Sequence, residues 1–268
     1  MLTRRPLLAA TLAAPVIAAL SGRVLAQNAS SPAVPGGAGH AGANDATQPS
    51  PSQQALAMLR PTDVLLAIDL QNDFMPGGAL AVAHGDEVVP LANRLAQAFE
   101  NVVLTQDWHP ANHVSFAVNH PGHKPFESIT LSYGEQTLWP PHCVQGSPGA
   151  ALHAGLEPTV KRARAIVRKG WHPAVDSYSA FVEADRTTKT GLAGYLRELG
   201  VTRVYCCGLA TDYCVAWSAL DARAAGFEVA LIEDASRAID LNGSLAAAWK
   251  QLRAAGVARV NAQDVLRG

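Results

Sequence analysis

Charged residues and cysteines are both scarce in this chain of 268 residues, and each shortage excludes a class of protein. Only 16% of the residues are charged and the formal net charge is −1, so the sequence indicates no basic surface for nucleic acid. Four cysteines are too few for a disulfide framework and lack the paired spacing of a zinc finger. With 49% hydrophobic residues, the chain can form a sizeable core, which excludes a disordered protein.

The apolar run near the N-terminus is too short to cross a membrane as a helix. It covers residues 6–20, fewer than the roughly 18–20 residues that a bilayer requires. Arg4 and Arg5 precede it, and small residues lead up to Ala26, which together predict a twin-arginine export signal over residues 1–26. A retained anchor and a general secretory signal are the alternatives. We therefore expect a periplasmic protein without stable membrane insertion after signal removal, or a cytoplasmic one if the signal is not used.

Two further segments follow the signal. Residues 27–54 contain almost only small and polar residues, too few apolar ones to repay the entropy of ordering, and are predicted to be a disordered linker. Residues 55–268 have the length and composition of one domain.

Short apolar runs alternate with helical patterns along this domain. This alternation predicts a three-layer α/β/α fold around a mostly parallel sheet of six strands, with functional sites at the carboxyl ends of the strands. The predicted strands are residues 63–68, 102–104, 165–167, 203–207, 227–232 and, at the edge, 258–260. One predicted helix has Leu91, Leu95 and Phe99 on one face. The other predicted helices cover residues 192–199, 212–225 and 244–255.

Asp69, Lys169 and Cys214 each follow a predicted strand, so we expect them at one edge of the sheet. If Thr211 caps the next helix, the helix dipole and a nearby ammonium would favour a thiolate at Cys214. Asp69 could then act as general base and acid in nucleophilic catalysis. A turn-capping Asp, a solvated Lys and a core Cys are the structural alternatives.

Histidines are concentrated in the loop that follows the second predicted strand. Asp107 and His109 lie on one side of an extended segment, and His142 follows two prolines. Such a ligand set suits one catalytic divalent metal ion, zinc before iron or manganese. His113 is a fourth ligand or a partner behind the ligands, whereas His120 and His123 fit surface positions.

Five segments, in order, resemble the nicotinamidase branch of the isochorismatase-like cysteine hydrolases from about Thr62 onward. They are AIDLQNDFMPGGAL, TQDWHPANHVSFA, LWPPHCVQGSPGA, VRKGWHPAVDSYSAF and GLATDYC. The resemblance implies the isochorismatase-like hydrolase fold and metal-dependent hydrolysis of nicotinamide, and of pyrazinamide, through a Cys thioester. It implies a catalytic triad of Asp69, Lys169 and Cys214 and metal ligands Asp107, His109 and His142.

The resemblance also implies the surroundings of the substrate. A cis peptide between Leu209 and Ala210 would point the amides of Ala210 and Cys214 at the substrate oxygen as an oxyanion hole. The substrate ring would be bound by Phe74, Leu80, Trp139 and Tyr178. Tyr213 departs from the family, because some relatives have His there.

Other functions stay open at this point. One alternative is another hydrolase of this fold, acting on isochorismate or an N-carbamoyl amide, and another is a periplasmic pyridine- or metal-binding protein without turnover. If the chain is an enzyme, we expect it to bind a small-molecule substrate. The sequence leaves open whether the chain forms a homo-oligomer.

Overall fold

The computed structural model of the chain describes residues 58–267. The predicted signal and linker lie outside these residues. Within them, no helix is both long and apolar enough to span a membrane.

Six parallel strands form the central sheet: β1 Asp63–Ile68, β2 Asn101–Asp107, β5 Ala165–Lys169, β6 Arg203–Leu209, β7 Glu228–Arg237 and β8 Ala258–Val260. Their order in the sheet is β5-β2-β1-β6-β7-β8, which confirms the predicted architecture. Strands β1, β2 and β6 are buried at every residue, as expected for inner strands covered on both faces. Strand β8 lies at an edge, as predicted.

Two hydrophobic clusters lie on opposite faces of this sheet, because successive side chains of a strand alternate between faces. Leu65 and Ala67 belong to one cluster, whereas Val64 and Leu66 belong to the other. The α-helices of the described range are α1 Val88–Ala98, α2 Glu157–Arg162, α3 Leu192–Glu198, α4 Ala216–Ala224, α5 Ser244–Ala254 and α6 Ala262–Leu266. The first cluster includes residues of α1 and α6, and the second includes residues of α3, α4 and α5, which gives the three layers.

Several short elements have no counterpart in the sequence prediction. The antiparallel hairpin of β3 Ser128–Leu131 and β4 Gly134–Thr137 was not predicted, because the alternation of polar and apolar residues in β3 covers only four positions and β4 contains no large apolar residue. Strand β7 runs five residues beyond the predicted end at Ile232. Its last residues pair again with β6 after an irregularity, and this pairing depends on the neighbouring strand rather than on hydrophobicity.

The predicted helix over residues 212–225 is in fact two segments. Residues Thr211–Val215 form a π-helical turn, in which the Val215 amide donates to the Ala210 carbonyl oxygen at 3.1 Å, and α4 follows. Thr211 is the first residue of this turn rather than its cap, and Ala210, the residue before the turn, makes no side-chain capping bond. The capping role expected for Thr211 is therefore wrong. Single π turns occur frequently at functional sites.

Candidate active site

The carboxyl ends of neighbouring parallel strands bring four ionisable side chains together. Asp69 follows β1, Asp107 ends β2, Lys169 ends β5, and Cys214 lies in the π turn after β6. All four are buried. Residues more than a hundred positions apart in the chain thus lie at one edge of the sheet, as the strand-end rule predicts.

Lys169 connects the other three ionisable groups. Its ammonium nitrogen Nζ lies 2.8 Å from Asp69 Oδ2 and 3.2 Å from Cys214 Sγ, and it is paired with Asp107 Oδ1. Nζ also donates to the Ser177 carbonyl oxygen at 3.1 Å. Burial alone would lower the pKa of Lys169, but the carboxylates of Asp107 and Asp69 outweigh it and raise that pKa well above its ordinary value. The side chain therefore remains a cation.

Thr105 holds Asp69 in place, a role that the sequence analysis missed. Its hydroxyl donates to Asp69 Oδ1 at 2.5 Å and accepts from the Asp69 amide at 3.1 Å. Asp69 has a φ of 51°, in the left-handed region, which is uncommon for a residue with a side chain. Contacts with neighbouring residues stabilise this backbone conformation. The other oxygen of Asp69, Oδ2, is paired with the Lys169 ammonium at 2.8 Å. Asp69 also has an oxygen within 4.8 Å of Cys214 Sγ, close enough for the carboxylate to take the thiol proton.

Cys214 is a buried thiol beside that carboxylate. Burial raises its pKa well above the ordinary value; the Lys169 ammonium opposes this, and the charge of Asp69 adds to it. The helix dipole and the ammonium were expected to favour a thiolate, but burial outweighs them, so the thiolate requires a base that removes the proton. Burial also raises the pKa of Asp69 despite the nearby Lys169, which makes Asp69 a stronger base for the thiol proton.

Asp107, His109 and His142 form a compact group that we call the metal-ligand cluster. One potential ligand atom from each lies within 4.8 Å of the other two. His109 Nε2 is 3.5 Å and His142 Nε2 is 3.9 Å from Asp107 Oδ2. The three donor atoms therefore converge on one point.

Backbone carbonyls orient both imidazoles of the metal-ligand cluster. His109 Nδ1 bonds to the Gly170 oxygen and His142 Nδ1 to the Pro140 oxygen, both at 2.8 Å. Because a carbonyl can only accept, Nδ1 carries the hydrogen in each ring and Nε2 keeps its lone pair for a cation. This is the usual arrangement around metal-binding histidines. A Cβ at position 170 would overlap the His109 ring, so the glycine is needed for this contact.

His113 lies behind the metal-ligand cluster. Its ring centroid is 4.2 Å from that of His109, and its two nitrogens face Ser115 Oγ at 2.7 Å and the Val175 carbonyl oxygen at 3.2 Å. His113 could also group with His109 and Asp176, which lines the cavity. With both nitrogens already hydrogen-bonded, His113 fits a supporting position better than that of a fourth ligand. Sequence analysis did not single out Asp176, although it lies within one of the five segments.

Gln71 is a second supporting residue that the sequence analysis did not assign. Its amide donates to the Asp107 carbonyl oxygen and accepts from the Asp107 amide, each at 2.8 Å. It also donates to the Ala150 oxygen at 2.8 Å. Gln71 thereby fixes the backbone of a metal-cluster residue. Its place in the DLQNDF segment was the signal that could have identified it.

One cavity is lined both by Cys214 and by all three residues of the metal-ligand cluster. Within it, Cys214 Sγ and one oxygen of Asp107 lie within 4.8 Å of each other. The four residues expected around a substrate ring, Phe74, Leu80, Trp139 and Tyr178, all line the cavity. Trp139 Nε1 donates to the Tyr178 hydroxyl at 3.0 Å, and Tyr213 packs edge-on against Trp139. Ala210 also lines the cavity, and the peptide between Leu209 and Ala210 is cis, as predicted. Ile239 is a lining residue that the sequence analysis missed.

Comparison with known proteins identifies the family to which this chain belongs. The chain matches the family model described as isochorismatase domain over residues 63–264. A curated nicotinamidase from Acinetobacter baylyi is 55% identical over 202 residues, which cover 75% of this chain and 94% of that protein.

Solved structures agree with this match. A nicotinamidase and pyrazinamidase from Acinetobacter baumanii has 55% sequence identity and a TM-score of 0.76, over 77% of this chain and 99% of that chain. A pyrazinamidase from Pyrococcus horikoshii, solved in complex with zinc, has 38% identity and a TM-score of 0.61, over 75% and 99%. The similarity thus covers nearly the whole described domain.

Proposed function

The chain belongs to the isochorismatase family, within its nicotinamidase branch, and on that premise we propose that it hydrolyses nicotinamide to nicotinate and ammonia. The observation that carries this proposal is the placement of the Cys214 thiol and the metal-ligand cluster on one small aromatic cavity. In this proposal a single heteroaromatic ring occupies that cavity with its carboxamide at Cys214. The relatives' activities support the same substrate, and the name of the Acinetobacter baumanii protein supports pyrazinamide as a second one.

The reaction begins with transfer of the Cys214 proton to Asp69. The sulfur then attacks the carboxamide carbon, and the amides of Ala210 and Cys214 bind the oxygen that becomes negative. The carbon–nitrogen bond breaks, the leaving nitrogen takes the proton from Asp69, and ammonia departs from a thioester. Asp69 next removes a proton from water, the resulting hydroxide attacks the thioester, and nicotinate leaves as Cys214 regains its proton.

Lys169 keeps its charge throughout these steps. Its ammonium contacts Asp69 Oδ2 and Cys214 Sγ, so it stabilises negative charge on whichever of the two groups has lost the proton. Thr105 occupies Asp69 Oδ1, which directs the proton to Oδ2.

The donor set and geometry of the metal-ligand cluster fit one divalent cation, with Asp107, His109 and His142 as the protein ligands. When bound, such an ion supplies a positive charge and open coordination positions beside the substrate ring. We propose zinc, which the zinc complex of the Pyrococcus horikoshii relative supports, with iron and manganese as the other candidates.

Ammonia release from nicotinamide tests the function directly. We expect purified protein to release one ammonia per nicotinate formed, and to lose this activity after dialysis against a chelator and regain it when zinc is added. Absence of ammonia release with metal bound would favour a binding protein. Hydrolysis of isochorismate or of an N-carbamoyl amide in place of nicotinamide would assign another reaction of this fold.

We also propose export to the periplasm, supported by Arg4 and Arg5 before the apolar run. The full chain expressed in a bacterium with a twin-arginine pathway should appear in the periplasmic fraction. Changing Arg4→Lys and Arg5→Lys together should retain it in the cytoplasm. Equal distribution of the two proteins would contradict export by this pathway.

A further inference from the structure

The loop between β7 and α5 has an unusual backbone. Asp240 and Asn242 have φ values of 53° and Gly243 has 83°, so three of its residues are left-handed. Asp, Asn and Gly adopt this conformation more readily than other residues, so the sequence of the loop suits its backbone. The loop is also held by contacts from outside itself.

Asp212 supplies those contacts. Its carboxylate accepts from the Ile239 amide at 3.1 Å, the Asp240 amide at 2.8 Å and the Ser244 hydroxyl at 2.5 Å. Asp212 is only 6% exposed and lies in the π turn two residues before Cys214. One side chain thus joins the turn that carries the thiol to the loop across the cavity.

Ile239 is the residue of this loop that reaches the cavity. It lines the same space as Cys214 and Tyr213, and it is only partly buried. The Ser244 hydroxyl, which bonds to Asp212, also interacts with the Tyr213 phenol and opposes the rise in its pKa that burial causes. The hydrogen bonds of Asp212 therefore reach two walls of the cavity.

We propose that Ile239 determines substrate size and that Asp212 is the positioning residue that holds it there. This inference rests on the proposed function. Ile239 excludes ring carboxamides that carry an additional ring substituent, because its branched side chain lines the cavity together with Cys214 and occupies the space that a substituent would need. A single methyl group in such a pocket typically changes kcat/KM by about 10- to 200-fold.

The test compares nicotinamide with its four ring-methylated isomers, using ammonia release by the zinc-loaded protein. For Ile239→Ala, kcat/KM for at least one methylated isomer should rise about tenfold or more relative to nicotinamide. Leu241→Ala is the matched control, because Leu241 lies in the same loop but is not among the described residues that line the cavity. It should keep the wild-type ratio.

Asp212→Asn tests the positioning role. It should relax selectivity toward the same isomer and raise KM for nicotinamide more than it lowers kcat, since the loop moves while the thiol remains. Ser244→Ala removes one of the three hydrogen bonds and gives a weaker effect in the same direction, which keeps the test valid if Asp212→Asn folds poorly. Asp264→Asn is the control, because it removes a carboxylate that accepts the Asn261 amide at 3.1 Å in a different loop.

The outcomes separate this inference from the proposed function. Equal selectivity of Ile239→Ala and Leu241→Ala overturns the role of Ile239. Relaxed selectivity in Ile239→Ala with none in Asp212→Asn or Ser244→Ala overturns the role of Asp212. If the wild-type protein releases no ammonia from nicotinamide, the proposed function itself is wrong.

Discussion

Thr105 and Asp69 are joined by two hydrogen bonds, one donated by the Thr105 hydroxyl to Asp69 Oδ1 and one accepted by it from the Asp69 amide. Thr105 lies on β2, the same strand that ends with Asp107. A single strand therefore positions the proposed general base and also supplies a member of the metal-ligand cluster.

Thr105→Val should lower kcat for nicotinamide by about 10- to 100-fold, part of the 10²–10⁴ that general acid–base catalysis typically contributes. Valine has nearly the same shape but no hydroxyl, so Asp69 loses its orientation while the fold is kept. Steady-state kinetics should show little change in KM. Thr105→Ser retains the hydroxyl and should stay close to wild type; equal loss in both variants would contradict the role assigned to Thr105.

Cys214→Ala should abolish ammonia release while the protein still binds one metal ion, because no other described thiol lines the cavity. Activity and metal content are measured on the same sample. Cys206→Ala is the control: Cys206 is buried within β6, and its removal should leave turnover intact. Turnover by Cys214→Ala would refute the thioester route.

His142→Ala should lower the bound zinc well below one ion per chain and reduce activity in parallel, because it removes one of three converging donors. Elemental analysis after dialysis measures this. His120→Ala serves as control, since His120 Nε2 bonds only to the Val114 carbonyl oxygen among its described hydrogen bonds, at 2.6 Å, outside the metal-ligand cluster. Full zinc content in His142→Ala would exclude His142 as a ligand.

Glu183 makes stability depend on pH. Its Oε2 is buried without a hydrogen-bond partner among the described residues, and burial together with Asp185 and Asp176 raises its pKa from 4.5 to about 7. Between these values the unfolded chain has released a proton that the folded chain keeps, so stability falls as pH rises through this range.

Glu183→Gln should therefore be more stable than wild type at pH 8, by roughly 1–3 kcal/mol, and similar to it below pH 4.5. Urea unfolding at both pH values measures the difference. Asp185→Asn gives the opposite sign: the Thr188 hydroxyl, at 2.7 Å, and nearby amides lower the pKa of Asp185, so its loss should destabilise the protein at neutral pH. If Glu183→Gln is no more stable than wild type at pH 8, the ionised Glu183 carboxylate does not destabilise the folded protein.

Local patterns were sufficient to locate much of the fold. The continuous apolar run predicted β1 with its observed bounds. The helical spacing predicted Leu192–Glu198 with an end one residue too late. The hairpin of β3 and β4 was missed because each strand has only four residues and β4 has no large apolar residue, and the end of β7 was missed because it is set by pairing with β6.

The candidate site divides in the same way. Asp69, Lys169 and Cys214 were recognisable because each follows a strand, and strand ends converge by topology. Thr105 and Gln71 were not, because a hydroxyl or an amide inside a strand or turn has no distinctive local pattern. Their importance comes from partners 36 positions away in the chain.

The amino-acid sequence by itself determined the alternation of strands and helices, the reactive side chains at the strand ends, and the family to which they belong. Only the tertiary structure decided how these groups behave. Burial raises the pKa of the Cys214 thiol instead of leaving it a thiolate, His113 lies behind the metal-ligand cluster, and Ile239 forms a wall of the cavity. The physical reason is that desolvation and hydrogen bonding depend on which residues, distant in sequence, come into contact. Local periodicity in the sequence does not encode those contacts.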